Sequence, residues 1–131
     1  MSETKIEITI QGAEFPKTAK RFAPGEVVQG SVQMTPEKDI NCRHVFARLQ
    51  WRTEGRGDED RKVAAEQDLY QGMLQGGLPR HYSFHLRLPD QPWSYAGQLV
   101  RIVWEVEVSI DIAFTRDPSA SIPIVMRPEV S

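Results

Sequence analysis

Val100-Arg101-Ile102-Val103-Trp104-Glu105-Val106-Glu107-Val108-Ser109-Ile110-Asp111-Ile112 decides the fold class. Every even position is apolar, and the odd positions are mostly charged or polar. A strand sends successive side chains to opposite faces, so a period of two describes a strand with one buried and one wet face. A helix would scatter these residues around its circumference. The apolar face makes Trp104 a core residue, whose truncation to alanine should cost about 3–5 kcal/mol. The odd face of Arg101, Glu105, Glu107, Ser109 and Asp111 reads as a solvated sheet surface, so Glu105→Ala should cost under about 1 kcal/mol. Sheets with one wet face are antiparallel as a rule.

The same alternation recurs along the chain. Ile6, Ile8 and Ile10 share one face of a first strand closed by Gln11-Gly12. Phe15 to Gly25, with Pro16, Pro24 and Gly25, reads as a loop. Alternation resumes through Val28, Gly30, Val32 and Met34 until Thr35-Pro36-Glu37 interrupts it. Cys42 to Thr53 reads as a long strand carrying Val45, Ala47, Leu49 and Trp51 on one face. From Arg61 to Met73, Val63, Ala65, Gln67 and Leu69 fit a strand, whereas Val63, Glu66, Tyr70 and Met73 fit one face of a helix; the strand is preferred. Tyr82, Phe84, Leu86 and Leu88 form another alternating face, and Ile122, Ile124 and Met126 a last one. About seven or eight strands separated by turn signals describe an all-β, antiparallel, immunoglobulin-like sandwich, with residues 1–131 as one domain.

Composition narrows the class further. The 131 residues suffice to bury a core without metal or disulfide staples. Sixteen Lys plus Arg against 18 Asp plus Glu leave a net charge of −2, which argues against nucleic acid as partner because phosphate binding needs a concentrated basic face. The single cysteine, Cys42, and a start without a basic, apolar leader point to a reducing cytoplasm. No apolar run approaches the ~20 residues of a membrane span.

Turn residues add a resemblance. Phe22-Ala23-Pro24-Gly25-Glu26-Val27-Val28-Gln29-Gly30-Ser31-Val32 resembles the arrestin-fold pattern in which a Pro-Gly-Glu turn launches a glycine-containing strand. Leu88-Pro89, Pro92 and Ser94-Tyr95-Ala96-Gly97 are similar to the turn before a late strand of that fold, and Leu49 to Gly55 and Trp104 to Asp111 extend the match. In order and spacing these stretches resemble the small bacterial arrestin-like proteins, including those of sporulation control. The resemblance implies an arrestin-like sandwich and a binding role. Two-lobed arrestins pair two such sandwiches and this chain offers one, so their receptor-activation switch does not carry over. Physically, Pro24 and Gly25 set a turn, Gly30 marks a bulge or a close approach, and Tyr95 should pack its ring while its hydroxyl finds a backbone partner.

Catalysis finds no foothold. Cys42 and His44, two apart on one strand face, are near enough for a thiolate–imidazole pair, yet no third group orients them. His81 and His85 share a wet face about 13 Å apart, too far to ligate one ion, and Arg87 beside them repels a cation. Asp58-Glu59-Asp60 lacks the ligand spacing of an EF-hand and reads as a solvated acidic loop, and Arg56-Gly57-Asp58 is too short a match to carry recognition. No cofactor or metal site and no enzymatic activity is expected. The expected function is that of a non-enzymatic adaptor, which binds a protein partner through an edge strand or through the loop of Thr53, Glu54, Arg56, Asp58, Glu59, Asp60 and Arg61. Trp93, beside Pro92 in a turn, is the candidate exposed aromatic. An edge strand would also allow homo-oligomers. The alternative is a sandwich that binds a sugar or lipid between or upon its sheets.

Overall fold

Alternating sequence becomes nine strands among the residues described by the computed structural model, which are 4–12, 20–55, 59–97, 100–113 and 115–128. They are β1 (Thr4–Ile10), β2 (Arg21–Phe22), β3 (Val27–Pro36), β4 (Ile40–Gly55), β5 (Arg61–Leu74), β6 (Arg80–Arg87), β7 (Tyr95–Ala96), β8 (Val100–Ile112) and β9 (Ser119–Met126). Seven are full strands and two are two-residue pairings. Arg61–Leu74 is strand throughout: pairing along β4 overrides the helical propensity of its alanines and glutamate. Within the stretch read as a loop, Arg21–Phe22 pairs with β9, and this pairing is parallel.

A three-stranded sheet runs β1-β3-β6, and a larger one runs β2-β9-β8-β4-β5 with β7 added to β8. The two form the layers of a sandwich. Val28, Val32, Met34 and Phe84 from the small sheet meet Val45, Ala47, Leu49, Trp104, Val106 and Ile110 from the large one in a single core. Trp104 is fully buried there, and its Nε1 donates to the Pro92 carbonyl at 2.7 Å. Trp51 is partly buried against the same core.

Gly30 is a close approach, with an uninterrupted register to β1 and β6 on either side. A Cβ added there would lie 2.4 Å from the Thr9 carbonyl oxygen and 2.7 Å from the Phe84 ring, so the phenyl group fills the space that a side chain would need.

The large sheet outreaches the small one. β4 and β8 run 16 and 13 residues, against 10 and 8 for β3 and β6. Burial on the inner face of β8 therefore fades from Trp104, through the partly buried Ile102, to the exposed Val100.

Candidate functional site

The outer face of the large sheet differs from its reading as a solvated surface. In an antiparallel ladder, directly opposed residues share a face. Gln50 lies opposite Glu105, and Arg48 lies between Glu66 on β5 and Glu107 on β8. Gln50 Nε2 donates to Glu105 Oε1 at 2.7 Å, and Arg52 Nη1 to Glu105 Oε2 at 2.8 Å. Arg48 Nε donates to Glu66 at 2.6 Å and its Nη1 to Ser109 Oγ at 3.2 Å. The long arginine stems lie across the sheet and exclude water from its midline. Gln50 is 3% and Glu105 7% exposed; on the odd face of β8, Arg101 is exposed, Glu107 and Asp111 are half-buried, and Glu105 and Ser109 are buried.

This lattice continues into the β4–β5 hairpin. Thr53 and Glu54 are strand residues paired with Ile102 and Arg101. Thr53 closes the hairpin, its N–H donating to the Asp60 carbonyl at 2.9 Å and its Oγ1 accepting from the Asp60 N–H at 3.0 Å. Glu59 faces Arg52 at 3.5 Å and Arg61 at 3.9 Å, and Arg52 also donates to Glu54 at 2.7 Å. Glu59 is therefore committed to arginines. Arg56 and Asp58, and with them the Arg56-Gly57-Asp58 tripeptide, lie outside the described residues. Among the described residues no three of His, Cys, Asp and Glu come together as a metal site.

The hairpin meets the aromatic turn at one end of the sheet. Thr53, Ile102 and Tyr95 stand in one row across β4, β8 and β7, and Glu54, Arg101 and Ala96 in the next. At ~4.8 Å per strand, each row spans about 10 Å. Trp93 is 48%, Tyr95 57% and Val100 41% exposed. Trp93 Nε1 donates to the Asp90 carbonyl at 2.9 Å, and Ser94 is bonded to Met126 through both its N–H and its Oγ, so the turn is fixed. Tyr95 departs from the packed corner expected of it. Its ring lies beside Gly97 on a two-residue edge strand beyond the cover of the small sheet, and its hydroxyl has no backbone partner among the described residues.

Compared with solved structures, the chain superposes on the sporulation control protein Spo0M of Bacillus subtilis with a TM-score of 0.70. The fold is an arrestin-like β-sandwich. Identity over that match is 20%, and it covers 96% of this chain and 50% of the other, so the chain spans half the length of that structure. No protein-family model and no curated protein matches the sequence.

The arrestin-like sandwich separates the groups that the sequence brings close. Between Cys42 and Val45 the register shifts, and Arg43 and His44 together oppose Asp111. The extra residue turns Cys42 inward and His44 outward, which dissolves the thiolate–imidazole pair. Cys42 Sγ donates to the Gly72 carbonyl at 3.1 Å, and burial pushes its thiol pKa up. His44 stacks on Phe46 and bonds Asp68 through Nδ1 at 2.7 Å. The hydrogen bond from Gln71 outweighs desolvation and, with the help of the bond and charge of His44, holds the Asp68 carboxyl below its ordinary value. His81 and His85 lie on the exposed face of the small sheet, opposite Gln33 and Gln29.

Proposed function

We propose that this domain is a non-enzymatic protein-interaction module that takes its partner at the hairpin end of the large sheet. The observation that carries the reading is the exposure of Trp93 and Tyr95, in the turn and short strand that pair with β8, and of Val100 at the start of β8, at the end of the sheet that also carries the charged hairpin. Rigid aromatics inside a polar rim are the usual anchors of protein interfaces. The first residues of β5, Arg61 to Ala64, are all exposed on an edge strand across β4 from this end of β8, where an extended segment could gain main-chain hydrogen bonds. Cys42, His44, Asp68 and Asp111 are tied into structural bonds, which favours binding over catalysis. The fold likeness to a sporulation control protein fits a regulatory role, and the buried free thiol of Cys42 fits a reducing, cytoplasmic setting.

The test is affinity capture from native extract with three proteins: wild type, Trp93→Ala/Tyr95→Ala, and a chain lacking Gly55–Asp60. Loss of a wild-type partner in either variant, with the urea midpoint retained, supports the reading. An unchanged partner set in both folded variants rejects it. Capture of the chain itself alone would identify the end as a homo-oligomer contact.

A further inference from the structure

The outer faces of the two sheets are built on different plans. On the large sheet, arginine, glutamate and glutamine side chains bond one another across three strands. On the small sheet the side chains of Thr9, Gln29, Ser31 and Ser83 bond no other group among the described residues. Their hydrogen-bonding capacity points outward.

Register arranges them in a grid. Thr9 lies opposite Ser31, and Ser31 opposite Ser83, which sets three hydroxyls in a row across β1, β3 and β6. Two residues along on the same face, Gln29 lies opposite His85, and the Gln11 N–H donates to the Gln29 carbonyl at 2.8 Å. The second row is therefore Gln11, Gln29 and His85. Strand geometry spaces neighbours about 4.8 Å across the rows and about 7 Å between them. The grid lines a shallow trough of about 520 Å³, to which Gly30 and Phe84 also contribute.

We propose that this trough binds a neutral saccharide. Hydroxyls donate and accept at once, and glutamine amides offer a donor and an acceptor side by side, which suits adjacent ring hydroxyls. Neither row contains a carboxylate, lysine or arginine, and the cations at its margin are spent on backbone carbonyls, Lys20 on that of Gln11 at 2.9 Å and Arg87 on that of Gly25 at 3.0 Å, so the grid favours a neutral ligand. Phe84, the only residue with a large apolar side chain that lines the trough, is almost fully buried, which leaves no apolar side-chain surface for an acyl chain. The core between the sheets is filled by fully buried side chains, so the outer face is where a small polar ligand can sit. With few aromatic contacts, binding rests on hydrogen bonds exchanged with water and is weak, in the millimolar range.

The experiment is a titration of the isotope-labelled chain followed by amide chemical shifts, with maltotriose, cellotriose and chitotriose as probes and a trimer of galacturonic acid as the charged comparison. The expected result is a saturable shift with at least one neutral trisaccharide, centred on Thr9, Gln29, Ser31 and Ser83. Ser31→Ala/Ser83→Ala should then weaken binding at least about fivefold at an unchanged urea midpoint. Four results overturn the inference: no saturable shift with any neutral probe, shifts centred elsewhere, equal binding of the acidic trimer, or equal binding by the double variant. Trp93→Ala/Tyr95→Ala leaves this titration unaltered, which separates the trough from the hairpin end.

Discussion

Replacement of Glu105 by alanine tests whether the outer face of the large sheet is structural. The substitution removes the acceptor of Gln50 Nε2 at 2.7 Å and of Arg52 Nη1 at 2.8 Å. The two losses differ in weight. Arg52 is partly exposed and keeps Glu54 at 2.7 Å and Glu59 at 3.5 Å, so its guanidinium stays paired. Gln50 is nearly fully buried and keeps only Glu107 at 3.4 Å, so its amide loses most of its partner. Hydrogen bonds to a charged group contribute about 1.5–3 kcal/mol, and removing one partner of a fully buried ion pair costs about 3–5 kcal/mol. Discounting the arginine leaves about 2–3 kcal/mol for Glu105→Ala, below the about 3–5 kcal/mol for Trp104→Ala on the core face. Equilibrium urea unfolding measures both, with the exposed Glu7→Ala as a control expected within about 0.5 kcal/mol of wild type. A cycle with Gln50→Ala should give a coupling of about 1–2 kcal/mol. If Glu105→Ala unfolds within about 0.5 kcal/mol of wild type, the buried lattice contributes nothing and the reasoning fails.

Two further outcomes can be checked on the same apparatus. Gly30→Ala should destabilise by about 1–3 kcal/mol, because the Thr9 carbonyl cannot retreat from a Cβ at 2.4 Å without disturbing the β1–β3 ladder; a urea midpoint equal to wild type would contradict this. The lowered pKa of Asp68 contributes stability that is present above its unfolded value near 4 and lost as pH falls through the folded value. Asp68→Asn should therefore lessen the acid loss of stability below about pH 4, and an unchanged acid limb in urea titrations would contradict the assignment.

Alternation of apolar residues made the full strands legible, because a period of two is a local property that needs no partner. The helix-or-strand ambiguity of Arg61 to Met73 was settled by β4, which pairs along nearly its whole length. What stayed hidden was non-local. Burial of Glu105 depends on Gln50 and Arg52 from a distant stretch of chain, and nothing near Glu105 in sequence distinguishes it from Glu107. The bulge after Cys42 is equally silent in sequence, yet one extra residue sends His44 to the other face. Trp93-Ser94-Tyr95 and the hairpin are each visible as sequence features, whereas their meeting at one end of the sheet arises from the order of β4, β8 and β7.

The strand order of the large sheet also governs when the chain can fold. Its central pair joins residues 40–55 to residues 100–112, so β4 must wait for its central partner until β8 has been synthesised. The local β4–β5 ribbon can form early, but two strands alone are marginal in water. Until Val106, Val108 and Ile110 arrive, one side of β4 lacks its ladder and the inward face formed by Val45, Ala47 and Leu49 is only half built. Such a surface invites association with other nascent chains. Synthesis of β8 is thus the step that turns a sticky ribbon into a closed sandwich.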